Sequence, residues 1–394
     1  MTEVPTPAHY TRAGSEPRKE GMRALNECPV ARSEAGEWIV IGHEQVTDVA
    51  LNDAAFSSAT SRFIQIPNGL DGTEHSAYRA IIDRYFTADR MKAFEPVLRE
   101  AVRSMMQDLA ARVADAGGSL TVDAVNDVGA HAAVNGQSVW LGWRTEVGPL
   151  LLEWMQSNHA ATRSGDLENT SAVAEQFDAI IQSVLDRRRA NPEQYDDVTS
   201  ELMREEVALP DGSTRLLNDA ELVSILRNWT GGDLGSIALC IGVLTHGFVK
   251  APHIAERFLA TASFTEKAAI VDEFLRLDNP FISNRRVVTT PTDVAGFTFN
   301  TGDRLRLNWT AANIDPRAFE DPHSFDAEGN RDKNLVYGTG KHVCPGRPLA
   351  TLELVTVMEE FLKAFDVTLT GSPEREITPL GGYAHLPIIL KSRI

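Results

Sequence analysis

Cysteine is scarce in this chain: among 394 residues only Cys28, Cys240 and Cys344 occur. They lie far apart, with no Cys-x-x-Cys pair and no Cys/His cluster, which excludes a disulfide framework and structural zinc as organising elements. A reducing compartment is expected. Basic side chains are also in deficit, 38 against 55 acidic ones, for a formal net charge of −17. That balance excludes nucleic acid and an anionic membrane as natural partners and suits solubility or a basic protein partner. Also missing are a run of about 18 uninterrupted apolar residues and, in the opening MTEVPTPAHYTRAGSEPRKEG, the apolar stretch of a leader or anchor. The expectation is a soluble cytoplasmic protein. The length would hold roughly two or three average domains. With no Gly/Ser linker, low-complexity tract or repeat to divide it, we expect one domain over residues 1–394, with residues 1–20 as a loosely ordered arm.

What the chain does have is apolar content, 43% of residues, enough for a large core. RMKAFEPVLREAVRSMMQDLAARVADAG repeats apolar residues at three and four, and Gly117 closes the run. VGPLLLEWMQSNHAATRS and TSAVAEQFDAIIQSVLDRRRANP predict two more helices, the second stopped by Pro192. Its RRR at 187–189 reads as a solvated helix end, while Met105, Met106 and Trp154 read as core. The polar loop VALPDGSTRLLND hands over to a helix at Asn218, with Glu221 completing a capping box. The helix that follows, AELVSILRNWTGGDLGSIALCIGVLTHGF, is apolar on nearly every face past its middle and belongs in the interior. Strands are short, near EWIVIGHEQV and around Gly296 and Gly302 in VVTTPTDVAGFTFNTGDRLRLNW. The expected class is mainly α with a small β portion.

One cysteine stands in unusual company, in YGTGKHVCPGRP at 337–348. Gly338 and Gly340 permit positive φ and close approach by a flat ligand, and Pro345 fixes the chain just after Cys344. PLATLELVTVMEEFLKAF then begins a helix at once, so Cys344 sits at a helix N-terminus, where the dipole and free amides stabilise a thiolate and depress its pKa. Such a thiolate suits the axial position of a haem iron. A cysteine in a glycine turn is equally compatible with a plain buried side chain.

YGTGKHVCPG resembles the haem-binding signature of the cytochrome P450 superfamily, F-G-x-G-x-H-x-C-x-G, with Tyr337 in place of phenylalanine. Further segments, in order, carry the same resemblance over roughly residues 20 to 394. EFLR matches the family's E-x-x-R through Glu273 and Arg276, which share a helix face and can pair. AANIDPRAFEDPHSFD is similar to the meander. GTEHSAYRAIIDRYF sets His75 and Arg79 four apart, where the resemblance implies a haem propionate contact. NRRVV offers Arg286, or by a one-residue shift Arg285, for the other propionate, and His342 is the third such contact.

TGGDLGS resembles the family's oxygen-binding helix segment through Gly231, Gly232 and Asp233, but Leu234 stands where an alcohol is usual. Asp233, ordered water or Ser236 one turn on must then deliver protons; Asp233 in a merely structural role is the alternative. Three glycines in one helix cost about 1 kcal/mol each, which points to something flat or small needing that space.

The resemblance implies the P450 fold, with haem b between the long central helix and the cysteine-bearing helix. It implies an oxidoreductase, a monooxygenase inserting one oxygen atom from O2 into a small hydrophobic or aromatic substrate by hydroxylation or oxidative dealkylation. Electrons would come from NAD(P)H through a separate ferredoxin and ferredoxin reductase, docking near Lys341 and Arg347. Cys344 is the iron ligand, Asp233 the relay acid, and Leu234 and Gly235 shape the pocket. Substrate contacts are expected from SRFIQIPN, Phe281, Ile282 and GGYAHLP. Leu234 keeps open a peroxide-driven peroxygenase or a non-oxygenating haem-thiolate isomerase or dehydratase; a haem-binding sensor is a third class.

Overall fold

The Glu221 amide donates to Asn218 Oδ1 at 3.0 Å and the Asn218 amide donates back to Glu221 Oε2 at 2.8 Å, so the expected capping box forms. It starts a helix of 32 residues, Asp219–Lys250. The computed structural model describes residues 6–11, 16–143, 146–209 and 211–393. Its helices are α1 (Pro17–Glu27), α2 (His43–Leu51), α3 (Gly72–Ile82), α4 (Ala88–Asp115), α5 (Ala130–Leu141), α6 (Gly148–Ser164), α7 (Leu167–Ala190), α8 (Val198–Leu202), α9 (Asp219–Lys250), α10 (Pro252–Ala260), α11 (Phe264–Leu277), α12 (Trp309–Ala312) and α13 (Arg347–Ala364). Helix accounts for 56% of the chain and strand for 15%, which makes the class mainly α.

By length and composition alone α9 could cross a membrane. Instead it runs through the interior, flanked by α5, α7, α11 and α13, which bury its apolar surface on several sides. α4, expected from the 3.6-residue period, is capped by the Thr87 side chain and ends ahead of Gly117, whose φ is +81°. Burying Leu98, Val102, Met106 and Leu109 of that helix stabilises each side chain by roughly 1.5–3 kcal/mol. Met106 and Trp154 are core as expected, and Met105 packs against the core's edge.

A six-stranded sheet covers one end, in the order Ala8–Tyr10, Val30–Ser33, Trp38–Val40, Arg304–Asn308, Ser283–Val288, Phe56–Ser57. Trp38, Phe56, Phe299 and Trp309 form its core. Residues 8–10, expected within a loose arm, are its edge strand. They are anchored because Tyr10 is 3% exposed and its hydroxyl accepts from Asn308 Nδ2 at 3.0 Å.

The RRR run also differs from expectation. Arg188 is not solvated; it is 2% exposed and donates to Asp197 at 2.5 Å and Glu146 at 3.3 Å. It points inward because a helical run of three spans most of a turn, so one member must face the core.

Candidate active site

Three segments meet at the cysteine loop. On α11, Arg276 donates twice to Glu273, both at 2.8 Å, and its remaining donors reach the carbonyls of Asn313, Pro322 and Ser324. Glu273 in turn accepts from the Asp326 amide and Asn330 Nδ2. The ExxR pair is therefore buried and saturated, and it pins the AANIDPRAFEDPHSFD segment just ahead of the loop. Arg79 on α3 grips the loop itself, donating to the carbonyls of Lys341 at 3.1 Å and Val343 at 2.8 Å, and it also pairs with Asp83.

Within the loop the Cys344 amide donates to the Tyr337 carbonyl at 3.0 Å, closing a narrow turn. Gly340 has a φ of +75°, and a Cβ there would lie 2.9 Å from the Ala50 carbonyl oxygen. Gly340→Ala is accordingly expected to lower stability by about 1–3 kcal/mol, read as a drop in urea midpoint; an unchanged midpoint would show that the turn relaxes freely. Tyr337 uses its hydroxyl on Thr351 Oγ1, 3.3 Å away on α13, while Arg347 lies over its ring.

The thiol of Cys344 differs from the sequence expectation. Burial, aided by the charge of Asp233, pushes it up to about 12, although the amides of Gly346 and Arg347 hold it down. The helix N-terminus therefore does not by itself make a thiolate. A metal cation would, because coordination deprotonates a thiol outright.

Next to the loop lies a surplus of basic side chains. His75 is 3% exposed with Nε2 unpartnered, and its ring stands 4.3 Å from that of His342. Burial, then Arg286 and His75, lower His342 to about 4. Arg286 points inward on its strand whereas Arg285 points out, so strand alternation selects Arg286 of the two. Its guanidinium donates to its neighbour's carbonyl, and burial holds its pKa below the usual arginine value. Asp71, 3.6 Å from His342, is the one carboxylate paired directly with the group among the described residues. Three enclosed hydrogen-bond donors beside a thiol, one a guanidinium and two imidazoles whose protonation burial disfavours in the absence of an anion, fit a ligand that brings a metal and carboxylates together.

On α9 the segment 230–236 takes a form the sequence did not suggest. A Cβ on Gly231 would be 3.1 Å from the Phe177 ring, and one on Gly235 3.0 Å from His159 Nε2. Two of the three glycines thus admit side chains of α6 and α7, while Gly232 faces open space. Leu234, expected to line the pocket, is fully buried in the core. The Ser236 hydroxyl bonds the carbonyls of Gly232 (2.7 Å) and Asp233 (3.2 Å) on its own helix, which occupies its hydrogen. Asp233 accepts from Gln137 Nε2 at 3.0 Å, and burial raises its pKa to about 7. Asp233 as a residue is half-buried. Asp233 and Cys344 flank the same residue: a methyl on Gly346 would lie 3.8 Å from each.

The profile described as Cytochrome P450 matches residues 267–388. The erythromycin C-12 hydroxylase of Saccharopolyspora erythraea is 29% identical over 392 residues, 92% of each chain. The cyclomarin C epoxidase of Salinispora arenicola is 29% identical over 360 residues, covering 85% of each. Among solved structures, a mutant of P450 EryK in complex with erythromycin B superposes with a TM-score of 0.82 at 25% identity, over 95% of this chain and 96% of that one. The chain belongs to the cytochrome P450 superfamily. Cytochrome P450 CYP101C1 shares the fold over 99% of both chains, with a TM-score of 0.83 at 22% identity.

This P450 is thus an oxidoreductase of the monooxygenase class, and the family implies a haem-iron cofactor. The unpartnered His75 Nε2, the buried Arg286 and the thiol of Cys344 fit that group. Two buried polar residues escaped the sequence reading, Gln137 on α5 and Glu353 on α13. Glu353 could have been suspected, because it is a lone carboxylate inside the apolar run from Leu349 to Met358.

Proposed function

We propose that this P450 binds haem b and inserts one oxygen atom from O2 into a small hydrophobic or aromatic substrate, drawing electrons from NAD(P)H through a separate ferredoxin and ferredoxin reductase. The observation that carries the reading is the convergence of Cys344 with His75, His342 and Arg286 around one buried site. When bound, haem supplies the oxygen-activating chemistry. In this assignment Cys344 Sγ ligates the iron, and His75, Arg286 and His342 take the propionates while Arg79 braces the loop. Asp233 holds and releases a proton at its carboxyl, with a pKa of about 7 that suits an acid working near neutrality.

The size of the substrate follows from the packing above α9. Trp154 and Phe177 stack at 4.0 Å and close on Gly231, and His159 closes on Gly235, which narrows the space. Phe63, Ile64 and Phe281 remain exposed at the segments expected to meet substrate. The relatives named above act on different molecules, so their names do not select a substrate here. Lys341 and Arg347 are exposed yet paired with Asp53 and Asp272, so an acidic ferredoxin would exchange ion pairs rather than meet free charge. The acidic surface and the enclosure of α9 support a soluble, cytoplasmic protein.

The first test is the difference spectrum of the reduced protein with carbon monoxide, where a strongly red-shifted Soret band supports the reading and a histidine-like band or no haem removes it. Asp233→Asn is expected to slow product formation by on the order of 10²-fold and to release more reducing equivalents as peroxide. Coupling equal to wild type would remove Asp233 from proton delivery. The buried Leu234 and the self-bonded Ser236 favour a second reading, peroxide-driven turnover. Faster product formation with peroxide than with ferredoxin, reductase and NAD(P)H would decide for it.

A further inference from the structure

A cavity of about 480 Å³ opens between α4, α11 and the first turns of α13, with residues 327–334 along one side. That volume lies in the usual range of a small-molecule site, about 300–1,000 Å³. Its lining is largely apolar, with Met91, Ala268, Ala269 and Leu352, and Phe264 adds a ring that is 45% exposed and open to stacking by a flat guest. The charges around it are unevenly matched. Glu95 pairs with Arg99, Glu273 with Arg276 and Asp272 with Arg347, so each lining carboxylate already has its cation. Lys92 and Arg331 also line the cavity and form no ion pair among the described residues. In a chain of net charge −17, two spare cations beside an apolar lining are the complement of an apolar anion. Arg347 is only loosely held: its Nη2 reaches Asp272 Oδ2 at 2.9 Å, and Asp272 Oδ1 has no partner among the described residues. Burial holds Asp272 above the usual carboxylate range, which weakens its hold on the guanidinium.

We propose that this cavity binds a small aromatic carboxylate, its ring against Phe264, Met91 and the alanines of α11 and its charge on Arg331, Lys92 and Arg347, and that the bound anion slows electron delivery. A guanidinium suits the task because its planar fork matches a carboxylate with two parallel hydrogen bonds. Seating the anion draws Arg347 from Asp272. It also draws it from the ring of Tyr337, the residue whose carbonyl accepts from the Cys344 amide. Arg347 is one of the two cations at which a ferredoxin would dock, so the anion and the electron donor compete for the same side chain.

The slowing rests on the function proposed above, whereas the binding does not, so the two fail separately. Titration calorimetry of the purified protein with naphthalene-2-carboxylate is expected to show a site that weakens with added salt. Ala268→Phe, which fills the cavity, should abolish it, and Arg331→Glu, a change at an exposed position, should weaken it severalfold. The spin state of the haem should not move as this site fills, which distinguishes it from the space above α9. No binding to the wild-type protein, or wild-type affinity in both variants, overturns the site whatever the carbon monoxide spectrum shows. With ferredoxin and reductase present, the anion should slow reduction of the wild-type protein severalfold and leave the rate in Ala268→Phe unchanged. An unchanged rate in the wild-type protein would overturn the control of electron delivery.

Discussion

Cys344→Ala is expected to leave a chain that folds but shows no thiolate-type haem absorption and no turnover. The fold should survive because the loop is held by other groups: the Cys344 amide on Tyr337, Arg79 on the carbonyls of Lys341 and Val343, and Arg276 on the segment behind. The side chain itself is small and adds little packing. Function should not survive, because Cys344 is the cysteine of the loop, while Cys28 and Cys240 lie elsewhere, on the sheet's flank and on α9. The measurement is the reduced carbon monoxide difference spectrum beside circular dichroism. A red-shifted thiolate band persisting in the variant would refute Cys344 as ligand; lost helicity would show that the sulfur also carries structure.

Arg276→Ala should produce the largest loss of stability. Removing it leaves Glu273 buried beside the Asp326 amide and Asn330, and strips bonds from the carbonyls of Asn313, Pro322 and Ser324. Breaking a buried pair by deleting one partner costs about 3–5 kcal/mol. Domains are stable by only about 5–15 kcal/mol, so the variant is expected to unfold at far lower urea and to retain little cofactor. A loss of less than about 1 kcal/mol would mean that the pair behaves as an exposed one. Glu273→Gln, which keeps the shape and leaves the guanidinium uncompensated, should fall in the same direction.

Much of this was legible before the coordinates. Local signals fix α4, α6, α7 and α9, because a 3.6-residue apolar period and a cap are properties of neighbouring residues. The haem-thiolate signature, the ExxR and the order of the segments identified the family, since each is a spacing along the chain. What escaped depends on distance across the fold. The side chains that enter beside Gly231 and Gly235 come from α7 and α6, and no local pattern couples them to α9. The raised thiol of Cys344 reflects enclosure and Asp233, two features invisible in a ten-residue motif. Arg188 read as solvated because its partners Glu146 and Asp197 flank it from other turns. Strand alternation, by contrast, needed only the register to choose Arg286 over Arg285.

The segment SRFIQIPN carries a last consequence. Ser224, Arg227 and Asn228, all on α9 ahead of TGGDLGS, bond its backbone: the Ile66 amide donates to Ser224 Oγ, the Ile64 carbonyl accepts from Ser224 and Arg227, and the Ile66 carbonyl accepts from Asn228. This segment, where the resemblance implies substrate contacts, is thereby riveted to the beam that bears Asp233. Any shift of residues 64–66 must therefore strain these bonds and bear on the helix that carries Asp233.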